Sequence, residues 1–200
     1  MCVTLDGAAF WSEETGFEWL PATNWESKGI PNAINNAGHI VGYSFEPGRA
    51  LLWGRDEFGM WQVTVLHPDE LSAAHDINES DVVVGWRYSV TYRAVKWVNG
   101  VPIDLPLPEF CIESQAWAIN NDGYIVGYTQ LPNEERHAAL WTPGGTFIDL
   151  NDVTVGLFGT AVEAVSINDA EHIAVQVLHL SLPGHHRAAF LGRNATPLPP

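Results

Sequence analysis

Residues 33–43 read AINNAGHIVGY, and a stretch of the same pattern occurs three more times along the chain. The other copies are DINESDVVVGW at 76–86, AINNDGYIVGY at 118–128 and SINDAEHIAVQ at 166–176, the last of which lacks both glycines. Ile-Asn and the residues after it have the composition of a tight turn. An Asn side chain can bond the backbone ahead of it, and Gly adopts positive φ without a Cβ clash. The Ile-Val-Gly that follows predicts a short, mostly buried strand.

A second motif has the form Ala-x-x-Trp and predicts a strand whose small Ala lets sheets stack closely. Its copies are AAFW, ALLW, AVKW, AALW and AAFL, whose first Ala falls at 8, 50, 94, 138 and 188, in steps of 42, 44, 44 and 50 residues. A third, weaker motif ends in Leu at positions 20, 66, 105 and 150. Pairing Ala-x-x-Trp with the Leu motif, and Ile-Asn with Ile-Val-Gly, gives two hairpins per repeat. Four short antiparallel strands at this period match a blade of a β-propeller.

The repeats therefore predict an all-β fold, a β-propeller-like array of about four four-stranded antiparallel blades plus a half-blade. We expect a single domain over residues 1–200, with units at approximately 8–44, 50–86, 94–128 and 138–177 and a partial unit at 188–198. Both ends resemble the same half of a blade, so either the ring is incomplete or one end lies outside it. Because Met1 falls almost directly on a repeat strand, we also expect the natural protein to extend further toward the N-terminus. A parallel β-helix would need shorter coils without hairpin turns, and a β-sandwich would not require repeat identity.

The composition argues against several classes of function. The 24 acidic and 9 basic residues give a formal charge of −15, and there is no Lys/Arg cluster, so we expect no binding to nucleic acid. The chain has no run of about 18 apolar residues, so we expect no membrane insertion. The N-terminal MCVTLDGAAFW has neither the basic nor the apolar region of a signal peptide. Cys2 and Cys111 form no disulfide framework, and whether they pair stays open.

At these motifs the chain resembles the bacterial HAF-repeat family, whose repeats combine an Ile-Asn turn, an Ile-Val-Gly strand, a His-Ala-Phe strand and an Asp-Leu ending. The closest unit is His137-Ala138-Ala139-Leu140-Trp141, with Ile119-Asn120 through Gly127 before it and Ile148-Asp149-Leu150 after it. The resemblance covers nearly the whole chain. It implies a β-propeller-like bacterial protein of uncharacterised role, extracellular or on the cell surface, whose motif carries no catalytic residues.

Two sets of residues are candidates for function. One Asn recurs at the same position of every repeat, as Asn35, Asn78, Asn120 and Asn168. These residues could bind a ligand as a ring, or they could cap the turns that they begin. Their recurrence at one structural position favours turn capping. Trp25, Trp61, Trp86 and Trp117 lie outside the Ala-x-x-Trp position. Exposed at loops, these four could stack on sugar rings or peptide side chains. The alternative for them is packing between blades, because Trp is usually largely buried.

The sequence contains no catalytic or metal-binding motif that we recognise. Asp104 and Asp149 recur before Leu, and their equivalent positions in separate blades indicate local bonds more than a catalytic pair. His185 and His186 are adjacent, so in a strand they point in opposite directions and cannot ligate one zinc ion. We therefore predict no catalytic residue, no cofactor and no metal site.

The leading functional hypothesis is a non-catalytic binding or surface scaffold module whose partner is an unknown protein or glycan. Open sheet edges also predict self-association. The alternative is a carbohydrate-active enzyme, a polysaccharide hydrolase or lyase, with carboxylates collected at the propeller axis. An enzyme should break the repeat symmetry with unique, convergent polar residues and perturbed carboxylates, whereas a scaffold should show equivalent residues around the axis.

Overall fold

The computed structural model describes residues 7–23, 28–153, 159–179 and 186–191. They form five antiparallel sheets, numbered here in chain order. Sheet 1 contains β1 (Ala9–Ser12) and β2 (Gly16–Trp19), and sheet 2 contains β3 (Gly29–Ile34), β4 (Ile40–Ser44), β5 (Ala50–Arg55) and β6 (Trp61–Val65). Sheet 3 contains β7 (Leu71–Ile77), β8 (Val83–Tyr88), β9 (Tyr92–Val98) and β10 (Val101–Asp104). Sheet 4 contains β11 (Glu113–Ile119), β12 (Ile125–Gln130), β13 (Arg136–Trp141) and β14 (Phe147–Asp149), followed by a short helix α1 (Leu150–Val153), and sheet 5 contains β15 (Gly159–Ile167), β16 (Ile173–His179) and β17 (His186–Leu191).

The prediction of an all-β fold built from four-stranded antiparallel sheets is confirmed, since sheets 2, 3 and 4 each have four strands in sequential order. Both predicted hairpins form in these sheets. Sheets 2, 3 and 4 each begin with the Ile-Asn strand and end with the Leu motif, whereas the units expected from the sequence begin with the Ala-x-x-Trp strand. The reason is that the turns at 45–49, 89–91 and 131–135 are short enough to pair each Ile-Val-Gly strand with the Ala-x-x-Trp strand after it.

The glycine of Ile-Val-Gly is required by a close approach of the neighbouring strand. A Cβ on Gly127 would lie 1.9 Å from the carbonyl oxygen of Gln115, and the same holds for Gly42 and Gly85 at 1.9 and 2.0 Å. Each of these glycines faces a β-bulge in the first strand of its sheet. Sheet 5 has Val175 in place of this glycine and two register shifts in place of one. The hairpin of the fourth repeat is therefore more irregular than those of the other three.

The core lies between successive sheets, which pack face to face. In sheets 2, 3 and 4 the Trp of the Ala-x-x-Trp strand packs backward, on the sheet before it: Leu20 of sheet 1 packs with Trp53, Leu66 of sheet 2 with Trp97, and Leu105 of sheet 3 with Trp141. The first Ala of the motif faces forward at each of these interfaces, and its small size lets the sheets approach closely. The first strands β3, β7, β11 and β15 also contact one another in order.

Candidate functional site

Because strands alternate in direction, the loops collect at two edges of the stack. The turn side carries the four Ile-Asn turns, which begin at Asn35, Asn78, Asn120 and Asn168. The connector side carries the turns at 45–49, 89–91 and 131–135 together with the links from one sheet to the next, such as 66–70 and 105–112. The two sides hold different kinds of side chain.

On the turn side, the repeated Asn residues join the sheets. The Nδ2 amides of Asn35, Asn78 and Asn120 donate to the backbone oxygens of Asn78, Asn120 and Asn168, at 3.1, 3.1 and 3.2 Å. The Oδ1 atom of each Asn accepts the backbone N–H four residues ahead, at 2.9–3.0 Å. Each of these side chains therefore shapes its own turn, and the first three also hold the next turn in place.

The residue after each Asn forms a second row of bonds. The Asn36 N–H donates to the Glu79 carboxylate at 3.1 Å, the Glu79 N–H to Asn121 Oδ1 at 3.0 Å, and the Asn121 N–H to Asp169 Oδ1 at 2.9 Å. We call the two rows together the turn ladder. Its side chains bond protein groups of the neighbouring sheet, which leaves less capacity for a ligand ring.

Three of the four non-core Trp residues, Trp61, Trp86 and Trp117, are described by the structure, and they lie in different places. Trp25 lies outside the described residues. Trp61 fills the space between sheets 1 and 2, where the Arg55 guanidinium lies 4.2 Å from its ring centre and its Nε1 donates to Glu18 at 3.3 Å. That environment is typical of packing between sheets, because the Arg55 cation contacts the Trp61 ring and pairs with the Glu18 carboxylate, which also accepts the indole N–H.

Trp117 is the bulge residue of β11 and lies between sheets 3 and 4. Its ring meets His75, the bulge residue of sheet 3, at a centroid distance of 4.3 Å, and its Nε1 is buried without a hydrogen-bond partner. Burial lowers the pKa of His75 to about 4, so this imidazole is neutral at pH 7. Trp117 is thus half-buried structure rather than an open stacking surface.

Trp86 belongs to a group of aromatic side chains on the connector side. It packs edge-to-face on Tyr92 at 5.1 Å, and Tyr92 contacts Tyr88 at 5.0 Å. Tyr88 is 37% exposed, so this group reaches solvent. In sheet 4 the position of Trp86 is taken by Tyr128, and Arg136 lies 4.1 Å from the centre of its ring. We call Trp86, Tyr88, Tyr92, Tyr128 and Arg136 the aromatic patch.

Tyr128 is the buried base of this patch. Burial raises its pKa to about 12; the Arg136 charge opposes that shift, and the nearby Glu113 and Glu163 add to it. The phenol is therefore neutral at all physiological pH values and serves as a flat, uncharged support for the guanidinium. Sequence analysis missed Tyr128 and Arg136, although the aromatic residue after Ile-Val-Gly recurs as Tyr43, Trp86 and Tyr128.

A groove opens beside Arg136, between the turn that precedes β13 and the start of sheet 5. Its volume is about 560 Å³, within the range of small-molecule sites. It is lined by Asn133, Glu134, Glu135, Arg136, Thr160, Val162, Glu163, Gln176 and Leu178. Three carboxylates against one guanidinium give it a negative character, which disfavours an anionic ligand.

The other candidate acids have local partners, whereas His185 and the side chain of His186 lie outside the described part of the chain. Arg87 donates to both oxygens of Asp104 at 2.7 and 2.6 Å, and Asp149 lies within hydrogen-bond distance of His137. Asp76 is half-buried, and this partial burial raises its pKa; its two oxygens accept the backbone N–H groups of Ile77 and Ile119. Cys111 is a buried free thiol, and burial raises its pKa. Within the described ranges, no three His, Cys, Asp or Glu residues are grouped so that they could hold a metal ion.

Comparison of the chain with protein-family models, with curated proteins and with solved structures found no match. Among the described residues, no helix has the length and apolarity needed to cross a membrane.

Proposed function

We propose that this chain is a non-catalytic β-propeller repeat module of the HAF-repeat type, which binds a partner at the aromatic patch on its connector side. The radial arrangement is supported by the contacts of the first strands, which follow one another as the inner strands of propeller blades do. It is also supported by the turn ladder, which repeats the same bond from sheet to sheet.

The observation that carries the binding role is the partial exposure of an aromatic group outside the packed core. Trp86, Tyr88 and Tyr92 are held by contacts with one another, and Arg136 lies over Tyr128 in the next sheet. Aromatic faces of this kind stack on sugar rings or on apolar peptide side chains. A chain of charge −15 repels polyanions, so an uncharged glycan suits the patch best.

The alternative, a polysaccharide hydrolase or lyase, requires two carboxylates that converge on one substrate. Asp76 is the described acid that best fits this requirement, because its pKa is raised and the other repeats lack an acid at its position. Both of its oxygens accept backbone N–H groups, as would suit a bridge between sheets. These contacts support binding over hydrolysis.

A glycan array screened with the wild-type chain and with Tyr88→Ala and Trp86→Ala tests the proposal. Each variant should lower the affinity for an uncharged glycan about tenfold, the worth of one aromatic contact. Phe58→Ala is the matched control, because Phe58 is 81% exposed in the turn between β5 and β6 on the opposite edge. Thermal unfolding confirms that each variant folds. Equal binding by all four proteins, or release of reducing ends from a bound glycan, would contradict the proposal.

A further inference from the structure

The groove beside Arg136 coincides with two departures from the repeat. Sheets 2, 3 and 4 each have one β-bulge in their first strand, whereas β15 has two. The second bulge inserts Val162 directly before Glu163, and both residues line the groove. Arg136, two residues before the Ala of Ala-x-x-Trp, stands where sheets 2 and 3 have Gly48 and Tyr92. Bulges are frequent beside functional sites, because they re-aim a side chain.

The second bulge brings polar side chains of sheet 5 together in the wall of the groove. Glu163 pairs with Gln176 across β15 and β16, and Thr160 pairs with Leu178, so the two members of each pair lie on the same face of the sheet. All four residues line the groove. Besides burial, the charge of Glu163 raises the pKa of the Tyr128 phenol, so these two groups are close. The groove therefore adjoins the aromatic patch, of which Tyr128 is the base.

The polar side chains of the groove have hydrogen-bonding capacity left for a ligand. In the part of the chain that the structure describes, the side chains of Arg136, Glu163 and Gln176 form no hydrogen bond and no ion pair. The Arg136 guanidinium lies over an aromatic ring, which occupies one of its faces and leaves the N–H groups at its edge available. Arg87 in sheet 3 differs, because Asp104 accepts two of its N–H groups.

The chemistry of these groups fits the hydroxyl groups of a neutral sugar. A guanidinium only donates, a carboxylate only accepts and a Gln amide does both, whereas each sugar hydroxyl donates and accepts. An anion would meet the three carboxylates of the groove, and a cation would meet Arg136. Val162 and Leu178 add apolar contact for the C–H groups of the ring.

We propose that the groove is a sugar subsite in which Glu163, Gln176 and Arg136 bind the hydroxyl groups of one ring and select its stereochemistry. This inference rests on the proposed function, since the neighbouring ring of the same glycan stacks on the aromatic patch. The aromatic contacts supply affinity for neutral sugars in general, because a sugar ring has an apolar C–H face. The hydrogen bonds supply selectivity, because a hydroxyl of the wrong configuration leaves the half-buried Glu163 or Gln176 without a partner.

Calorimetric titration with neutral oligosaccharides of glucose, mannose and galactose tests the subsite, because mannose and galactose each differ from glucose in the configuration of one hydroxyl group. The wild-type chain should bind one of these sugars about tenfold more tightly than its epimer. Glu163→Gln and, separately, Gln176→Met keep the size of the side chain, and each should reduce this ratio to about twofold. Trp86→Ala should weaken the binding of all three sugars about tenfold and leave the ratio unchanged.

Glu57→Gln is the matched control, because Glu57 is exposed in the turn between β5 and β6 and the change removes the same charge. Thermal unfolding checks that each variant folds. Equal binding of all three sugars by the wild type, or a ratio that neither Glu163→Gln nor Gln176→Met changes, would overturn the subsite and leave the aromatic patch to the Trp86→Ala result. Tighter binding of a glucosamine oligosaccharide would also overturn it, because the groove would then be a site for cations. A wild-type chain that binds no sugar would overturn the proposed function and the subsite together.

Discussion

Sheet 4 and sheet 5 contain the same turn motif, but sheet 4 lies between two other sheets and sheet 5 at the end of the stack. Asn120 in sheet 4 is buried and donates to the next turn, whereas Asn168 in sheet 5 is exposed and bonds within its own turn. Gly127 faces a close carbonyl in sheet 4, and Val175 takes its place in sheet 5. The motif defines the turn, and the neighbouring sheet determines how much that turn stabilises.

The largest expected difference between the two sheets is in the loss of stability when Ala replaces the residue after Ile-Val or Ile-Ala, which is Gly127 in sheet 4 and Val175 in sheet 5. Gly127→Ala should lower the free energy of unfolding by about 4 kcal/mol, because its Cβ would overlap the Gln115 carbonyl at 1.9 Å. Val175→Ala should cost about 2 kcal/mol through lost packing. Urea denaturation of both variants measures the two values. Equal costs would mean that the bulge in sheet 4 relaxes freely.

The residue at the β-bulge also differs between an inner sheet and sheet 5, and in the inner sheet it makes the free energy of unfolding depend on pH. His75 is covered by the next sheet, and Val165 at the end of the stack is exposed. The pKa of His75 is about 4 in the folded chain against 6.5 for the free side chain, so between these values the unfolded state binds a proton that the folded state does not. The free energy of unfolding should therefore fall as pH drops from about 6.5 to about 4, by about 3 kcal/mol in all.

His75→Phe keeps the ring contact with Trp117 and removes the titration. The difference between wild type and His75→Phe isolates the His75 contribution, because the half-buried Asp76 carboxyl, with its raised pKa, acts in the opposite direction in both proteins. Urea denaturation at pH 7 and at pH 4.5 provides the measurement. A pH dependence that is the same in both proteins would show that His75 is solvated.

The smallest expected effect concerns the turn ladder. Asn120→Ala should cost about 2 kcal/mol, because it leaves the buried N–H of Tyr124 without its acceptor and removes the bond to Asn168. Asn168→Ala is the matched control and should cost about 0.5 kcal/mol, since water can replace the lost bonds at an exposed turn. Thermal unfolding of both variants checks the ratio. If Asn168→Ala lowered the stability as much as Asn120→Ala, Asn168 would have to bond a further group of the protein beyond its own turn.

The repeat motifs predicted the strands and both hairpins because turn chemistry and short apolar runs are local signals. The motifs did not reveal which hairpins share a sheet, since that depends on a connection of three to five residues between motifs. The turn role proposed for the Asn residues also concerned only the bond ahead of each Asn. Their bonds to the next sheet span 42–48 residues, which no local pattern contains.

Of the predicted stacking residues Trp25, Trp61, Trp86 and Trp117, the structure describes the last three and places them in different environments. Trp61 and Trp117 pack between sheets, and Trp86 lies in the aromatic patch. Arg136 joins that patch through Tyr128, although nothing in its own sequence position marks it. Side chains from neighbouring strands meet there only after the sheet has formed.

The sequence by itself determined the strands, the tight turns and the small residues that let sheets approach, because each depends on the backbone preferences of a few adjacent residues. Only the tertiary structure decided which copies of a motif are buried, which Asn bonds a neighbour and which Trp remains open. These properties depend on whether another sheet lies against the motif, and equal sequences at the middle and at the ends of the stack therefore have different environments.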